Sequence, residues 1–265
     1  MGIFSRSHLA AALLIHIVTG LCSAQDLDTS SCLPQTYSKV LLNQTSEGQY
    51  IEYAADVPEL SGFTLHYWIR ILQPSALTPT FSYLADGPEG TEYIQVTLLR
   101  VKEAWYAVLQ VKGVVVSNTK LPGNFSAEWH HLLHSWDGNT GTWSIFLDGK
   151  LLEDGENLRS KGLTVKGGGR AFTGQQASSI INSFSKACTD LAKFKEGING
   201  WVTLLALDSR GIDRPDYWLN RMAVSVVAAG CRAEHRGDII SWLDTPRRGY
   251  CGAMEARANS ECKNF

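Results

Sequence analysis

The 265-residue chain lacks a charge excess of either sign: 24 Lys and Arg against 26 Asp and Glu leave a formal net charge of −2. It also lacks a basic stripe, which speaks against a nucleic-acid partner. Beyond the N-terminus no apolar run is long enough to span a membrane. The polar residues Cys262-Lys-Asn-Phe265 are not a lipid-anchor signal. Internal repeats and low-complexity segments are absent. So are Gly-x-Ser-x-Gly, His-Glu-x-x-His and the Glu-x-Asp-x-Glu strand motif of jelly-roll glycosidases. Lys166-Gly-Gly-Gly-Arg170 lacks the Lys-Ser/Thr ending of a phosphate loop. Glu153, Asp154 and Glu156 read as solvated charges in a turn, not as a catalytic carboxylate pair.

What is present begins with an export pattern. Arg6 precedes the apolar run Leu9–Val18, and Cys22-Ser23-Ala24 supplies small residues for cleavage before Gln25. Residues 1–24 are therefore expected to be a secretory signal, 25–36 a short segment and 37–265 one domain. A secreted, extracellular product follows. Cys32, Cys188, Cys231, Cys251 and Cys262 remain after cleavage. In an oxidising compartment this odd number predicts two disulfides and one thiol, free or paired between chains. Their spacing is too wide and irregular for a zinc site. The sequons at Asn43 and Asn124 fit glycosylation of an exported protein.

The body reads as short strands. Phe63, Leu65, Tyr67 and Ile69 alternate with Thr64, His66, Trp68 and Arg70, which predicts a half-buried strand. Residues 49–53, 93–99, 105–111 and 113–117 are further aromatic and β-branched runs, separated by Gly-, Pro- and Asn-rich turns at 86–90, 121–124, 137–141 and 148–149. Such spacing predicts an all-β antiparallel sandwich. The segment Asp213–Ala229 breaks the pattern: Pro215 near its start and Gly230 after its end bound a single helix, which must lie on a sheet face to bury its apolar side.

His130, His131 and His134 crowd Trp129 and Trp136. On a strand His130 and His134 lie about 13 Å apart on one face, and His131 points the other way. A shared metal ion needs converging ligands, so these are expected to be hairpin side chains.

Trp129-His-His131, Trp136, Gly141, Trp143-Ser144, Asp148-Gly149 and Gly155-Glu-Asn-Leu158 follow one another in order. Pro58-Glu-Leu60, Phe63-Thr64, Trp68-Ile-Arg70, Phe81-Ser-Tyr83, Gly174-Gln175 and Gly237-Asp-Ile-Ile240 with Trp242 complete the set. This ordered set resembles the pentraxins, with the C-terminal domain of the neuronal, long branch nearest, from about Tyr37 to Cys262. The resemblance implies a two-sheet jelly roll of concanavalin and laminin-G type, with one helix on a sheet face. It implies a secreted homo-oligomer that binds glycans, phosphorylated surface ligands or receptor ectodomains through Ca2+. No coiled-coil stretch of the long members is expected between the signal and the domain.

The sequence departs from that pattern twice. His66 and Leu133 stand where the family keeps a cross-strand disulfide. By the same resemblance Cys231 and Cys262 pair. Cys32 with Cys251 is then an open pairing that leaves Cys188 free or interchain. The calcium candidates are Glu89, Glu92, Gln175, Gln176 and Ser178, where Gln176 and Ser178 replace two expected carboxylates. Calcium prefers six to eight oxygens, several anionic, so binding is expected to be weak or lost. Arg236-Gly237-Asp238 is an integrin-type tripeptide whose glycine also suits a turn. The expectation is a non-catalytic secreted recognition protein. The alternatives are a structural or adhesive matrix component without the calcium site, and a jelly-roll glycosidase.

Overall fold

Period-two alternation puts every second side chain of a strand on the same face, and this chain uses it to build two sheets that share one core. The computed structural model describes residues 36–44, 48–85, 92–123, 125, 127–182, 188, 196–212, 224, 227, 228, 236–259 and 265. In chain order the strands are β1 (Thr36–Leu42), β2 (Tyr50–Tyr53), β3 (Gly62–Ile71), β4 (Leu77–Leu84), β5 (Glu92–Val101), β6 (Ala104–Val111) and β7 (Val114–Lys120). They continue as β8 (His130–Asp137), β9 (Thr142–Leu147), β10 (Lys150–Glu156) and β11 (Arg170–Thr173). After helix α1 (Ala177–Asn182) come β12 (Gly200–Asp208), β13 (Ile240–Ser241), β14 (Arg247–Tyr250) and β15 (Met254–Asn259).

One sheet has the order β10-β9-β8-β3-β12-β1-β15, with β13 added on β12; the other has the order β14-β2-β11-β4-β5-β6-β7. All paired strands are antiparallel, as expected for a two-sheet jelly roll. Phe63, Leu65, Tyr67 and Ile69 of β3 are fully buried between the sheets. Phe81 and Tyr83 of β4 and Ile94, Val96 and Leu98 of β5 enter the same core from the other sheet. Each such side chain contributes about 1.5–3 kcal/mol when fully buried. The Tyr67 hydroxyl meets Thr80 Oγ1 at 2.8 Å and fastens one sheet to the other.

His66 and Leu133 are direct partners in the β3–β8 register. That juxtaposition suits the cross-strand link this chain lacks. Instead, Leu133 packs with Phe146 and Val224, and Nδ1 of His66 lies 3.3 Å from Nε2 of His131. Val224 is helical, and the Ala228 N–H donates to its carbonyl at 2.9 Å. Most of the helix expected over 213–229 lies outside the described residues. What is described rests on the outer face of β8 and β9.

Three expectations need correction. Residues 177–182 form α1, a second helix beside the single one expected over 213–229, and it buries Ala177 and Ile180 against Leu84 and Phe172. A single expected helix therefore understates the helical content. Glu153, Asp154 and Glu156 lie on the edge strand β10 and not in a turn, all three exposed. Cys188, expected to be free or interchain, is disulfide-bonded to Cys251, with Cα atoms 5.4 Å apart. This excludes the Cys32–Cys251 pairing. The first and last strands are neighbours, β1 on β15, but Cys251 precedes β15 and directly follows β14, which pairs with β2. The Cys188 carbonyl accepts from Gly48 N–H at 2.7 Å just before β2, so both cysteines meet at that end of the second sheet. Cys32, Cys231 and Cys262 lie outside the described residues.

Replacing Cys188 and Cys251 together by serine is expected to lower stability by about 2–5 kcal/mol in urea. The single variant Cys188→Ser should abolish no covalent dimer on non-reducing gels. Loss of a dimer band in that variant would contradict the intrachain bond.

Candidate functional site

Gln44 sits just after β1, where the chain leaves one sheet for the other. Its side chain is buried, so each of its polar atoms requires a partner. Nε2 donates to the carbonyls of Gln49 (2.8 Å) and Ile198 (3.1 Å). Oε1 accepts from Gln49 N–H (2.9 Å) and from Gln175 Nε2 (2.7 Å). Its main-chain N–H donates to Asn199 Oδ1 at 2.7 Å. Gln175 Nε2 also donates to the Glu196 carbonyl at 2.9 Å, and Ser82 Oγ donates to the Gln175 carbonyl at 3.0 Å. This amide lattice joins the ends of β1 and β11 to the starts of β2 and β12. It has no room to spare: at Gly197, φ 118°, a Cβ would lie 2.6 Å from Gln175 Nε2.

Beside the lattice, Glu92 opens β5. Its Oε1 accepts from Ser178 N–H (2.9 Å) and from Ser178 Oγ (2.8 Å). The carboxylate thus satisfies an otherwise unpaired donor in the first turn of α1. Of the calcium candidates, then, Glu92 and Ser178 come together across 86 positions, but they bond to each other. Gln175 points its amide into the lattice. Gln176 is half-buried, and its carbonyl accepts from Ile180 N–H at 3.2 Å. Glu89 lies outside the described residues. Among the described residues no group of three or more His, Cys, Asp or Glu side chains could hold a metal ion. A calcium ion needs six to eight oxygens; here one carboxylate serves a helix turn and one amide serves a lattice, so the described donors do not fit it.

The hairpin histidines take separate tasks. His130 Nδ1 lies 2.9 Å from Asp148 Oδ2, and its ring stacks on Phe125 at 4.4 Å. His131, fully buried, lies beside His66 and Trp68 on the outer face. His134 faces the inter-sheet core, its ring parallel to Tyr67 with centroids 6.3 Å apart. Neither of its ring nitrogens has a hydrogen-bond partner among the described residues. Burial alone pushes its pKa down to about 3.

Each residue of the tripeptide also has a local task. Both Asp238 oxygens accept from Ser209, at 2.7 Å from N–H and 2.5 Å from Oγ. Arg236 pairs with Asp244 at 2.8 Å. A Cβ on Gly237 would lie 2.2 Å from the Ile240 carbonyl, so close backbone approach requires glycine. Asn43 is exposed at the end of β1, and Asn124 lies outside the described residues.

No family model matches the chain. Against curated proteins it is 24% identical over 196 residues to a Rattus norvegicus protein named for its sushi, von Willebrand factor type A, EGF and pentraxin domains, covering 74% of this chain and 5% of that protein. It is 26% identical over 218 residues to neuronal pentraxin-2 of Homo sapiens, covering 82% of this chain and 45% of that one. The solved heptameric SAP-like pentraxin from Limulus polyphemus superposes with a TM-score of 0.70 at 18% identity, covering 86% of this chain and 98% of that one. The fold is therefore a jelly roll of pentraxin type. The sequence relatives agree with that fold: the chain is similar to the pentraxin domains of these proteins. It spans less than half the length of these curated relatives.

The histidine result generates a pH prediction. Unfolded, His134 takes up a proton near pH 6.5; folded, it does so only near pH 3. The unfolded state binds more protons between those values, so stability falls as pH drops through that window. Between pH 7 and pH 5 the wild type should lose about 2 kcal/mol more than His134→Leu in urea unfolding. Equal losses in the two proteins would contradict this assignment.

Proposed function

We propose that the chain is an exported, non-catalytic recognition domain of the pentraxin family that binds its extracellular ligand without the calcium mechanism. One observation carries the calcium-independent part: Glu92 is engaged by Ser178, and Gln175 is turned into the Gln44 lattice. A metal entering there would have to break hydrogen bonds that the folded chain already makes, several of them buried. Export is supported by the pattern in residues 1–24 and by the Cys188–Cys251 disulfide, which requires an oxidising compartment to persist. Among the described residues no helix is long and apolar enough to cross a membrane.

The ligand classes follow from the family: glycans, phosphorylated surface ligands or protein ectodomains. Assembly into a homo-oligomer fits the heptameric relative. Asn43 is exposed where a glycan would need it. A catalytic reading gains nothing from the exposed acids of β10, which lie along an open edge. An adhesive reading gains nothing from Asp238, whose two oxygens both bond to Ser209.

The test is a screen of the secreted, purified protein against an array of glycans and phosphorylated ligands, in EDTA and again in millimolar calcium. The expected outcome is binding of the same ligands at the same strength in both buffers. Binding that appears only with calcium would overturn the calcium-independent mechanism. Turnover of any array ligand would overturn the non-catalytic assignment.

A further inference from the structure

The outer face of the sheet formed by β8, β3, β12 and β1 carries an aromatic box that the inter-sheet core does not use. Thr203, Trp68 and His131 are successive register partners across β12, β3 and β8. Trp68 and His131 are buried, with their rings 5.4 Å apart. Trp129, half-buried, stands just before β8. The ring of Phe265 meets both indoles, 4.9 Å from Trp68 at 57° and 5.2 Å from Trp129 at 68°. These are the tilted and edge-on geometries that aromatic pairs favour. Lys39 of β1 reaches the same place. Its Nζ donates to the Phe265 main-chain oxygen at 2.8 Å and lies 4.9 Å from the centre of the Trp201 ring.

The occupant of this box is replaceable. Phe265 is only half-buried, and two ring contacts and one hydrogen bond hold it among the described residues. The box also has polar capacity that Phe265 leaves unused. Trp68 Nε1 is buried and has no hydrogen-bond partner among the described residues. A buried donor in that state is costly, and an acceptor oxygen on a ligand would relieve it. The rim is cationic. Burial lowers the pKa of Lys39, and the charge of Arg70 adds to the effect; an oxygen acceptor beside that ammonium is favoured. Aromatic cages elsewhere take cations, but Lys39 and Arg70 would repel one here.

We propose that this box is a docking site for an extended peptide segment of a partner protein, anchored by one phenylalanine, and that Phe265 fills it in cis until displaced. The partner's ring takes the place of the Phe265 ring against Trp68 and Trp129, and its main-chain oxygen takes the place of the Phe265 oxygen on Lys39. The seated residue shows that the box accepts both parts of such a ligand together. Aromatic anchors in desolvated pockets carry much of the energy of protein–protein contacts. A tethered occupant competes at an effective concentration on the order of millimolar, so Phe265 screens out weak ligands. The site uses none of the residues of the Gln44–Gln175 lattice and does not depend on the calcium-independent reading.

The test is binding of a fluorescent peptide of residues 260–265, carrying Cys262→Ser, to the intact secreted protein in EDTA, followed by anisotropy. Phe265→Ala should bind it saturably, and wild type about tenfold more weakly, because its own Phe265 competes. Adding Trp129→Ala to Phe265→Ala should weaken binding about tenfold or more, and a peptide that also carries Phe265→Leu should bind less well than its parent. Wild type needs no substitution, so its weak, saturable binding at millimolar peptide does not depend on how any variant folds. Equal binding by wild type and Phe265→Ala, unchanged binding with Trp129→Ala, or no binding to wild type at millimolar peptide would overturn the site. Dimers of wild type that Phe265→Ala abolishes would overturn the partner assignment in favour of exchange between copies of this chain.

Discussion

The hydrogen bond from Gln175 to Gln44 is the contact on which this end of the two sheets depends. Gln44 ends one sheet's strand, and Gln175 ends a strand of the other. Their union, with Gln49 and Asn199 added, fixes where both sheets stop and where the next strands begin. A buried side-chain amide left unpaired would cost about 1–3 kcal/mol. Gln44 instead has partners on both its oxygen and its nitrogen, and the tight approach of Gly197 leaves no slack around them. The lattice does with neutral amides what bound cations do with charge elsewhere: it holds loops together.

The same economy appears on the opposite face. His66 and Leu133 occupy directly opposed positions in β3 and β8. Packing of Leu133 on Phe146 and Val224 substitutes for a covalent link. A separate disulfide, Cys188–Cys251, ties the segment following α1 to the edge strand β14. Among the described residues the cross-link thus lies at the rim of the second sheet and not at the centre of the first.

Much of the fold was legible in the residues because period two is a local signal. Phe63, Leu65, Tyr67 and Ile69 announce a face, and that face is buried. The opposition of His66 and Leu133 follows from an ordered motif set rather than from any single motif. What was not legible depends on distance. Nothing local to Gln175 says that its partner is Gln44, 131 positions away. Residues 174–182 carry glycine, two glutamines and two serines ahead of a pair of isoleucines, a weak helix signal; α1 forms because Ala177 and Ile180 find Leu84 and Phe172. The neighbourhood of β1 and β15 does not bring Cys251 to Cys32, because Cys251 follows β14, a strand of the other sheet. Glu153, Asp154 and Glu156 look like turn residues, but pairing of β10 with β9 extends them into an edge strand.

The central claim is that the Gln175 lattice and the Glu92–Ser178 pair leave no place for calcium. A crystal structure of the full secreted chain grown in millimolar calcium tests it most directly. The account predicts that Glu92 remains on Ser178 and Gln175 on Gln44, with no ion between them. A calcium ion coordinated by Glu92 together with Gln175 or Gln176, and the lattice opened to admit it, would contradict the account.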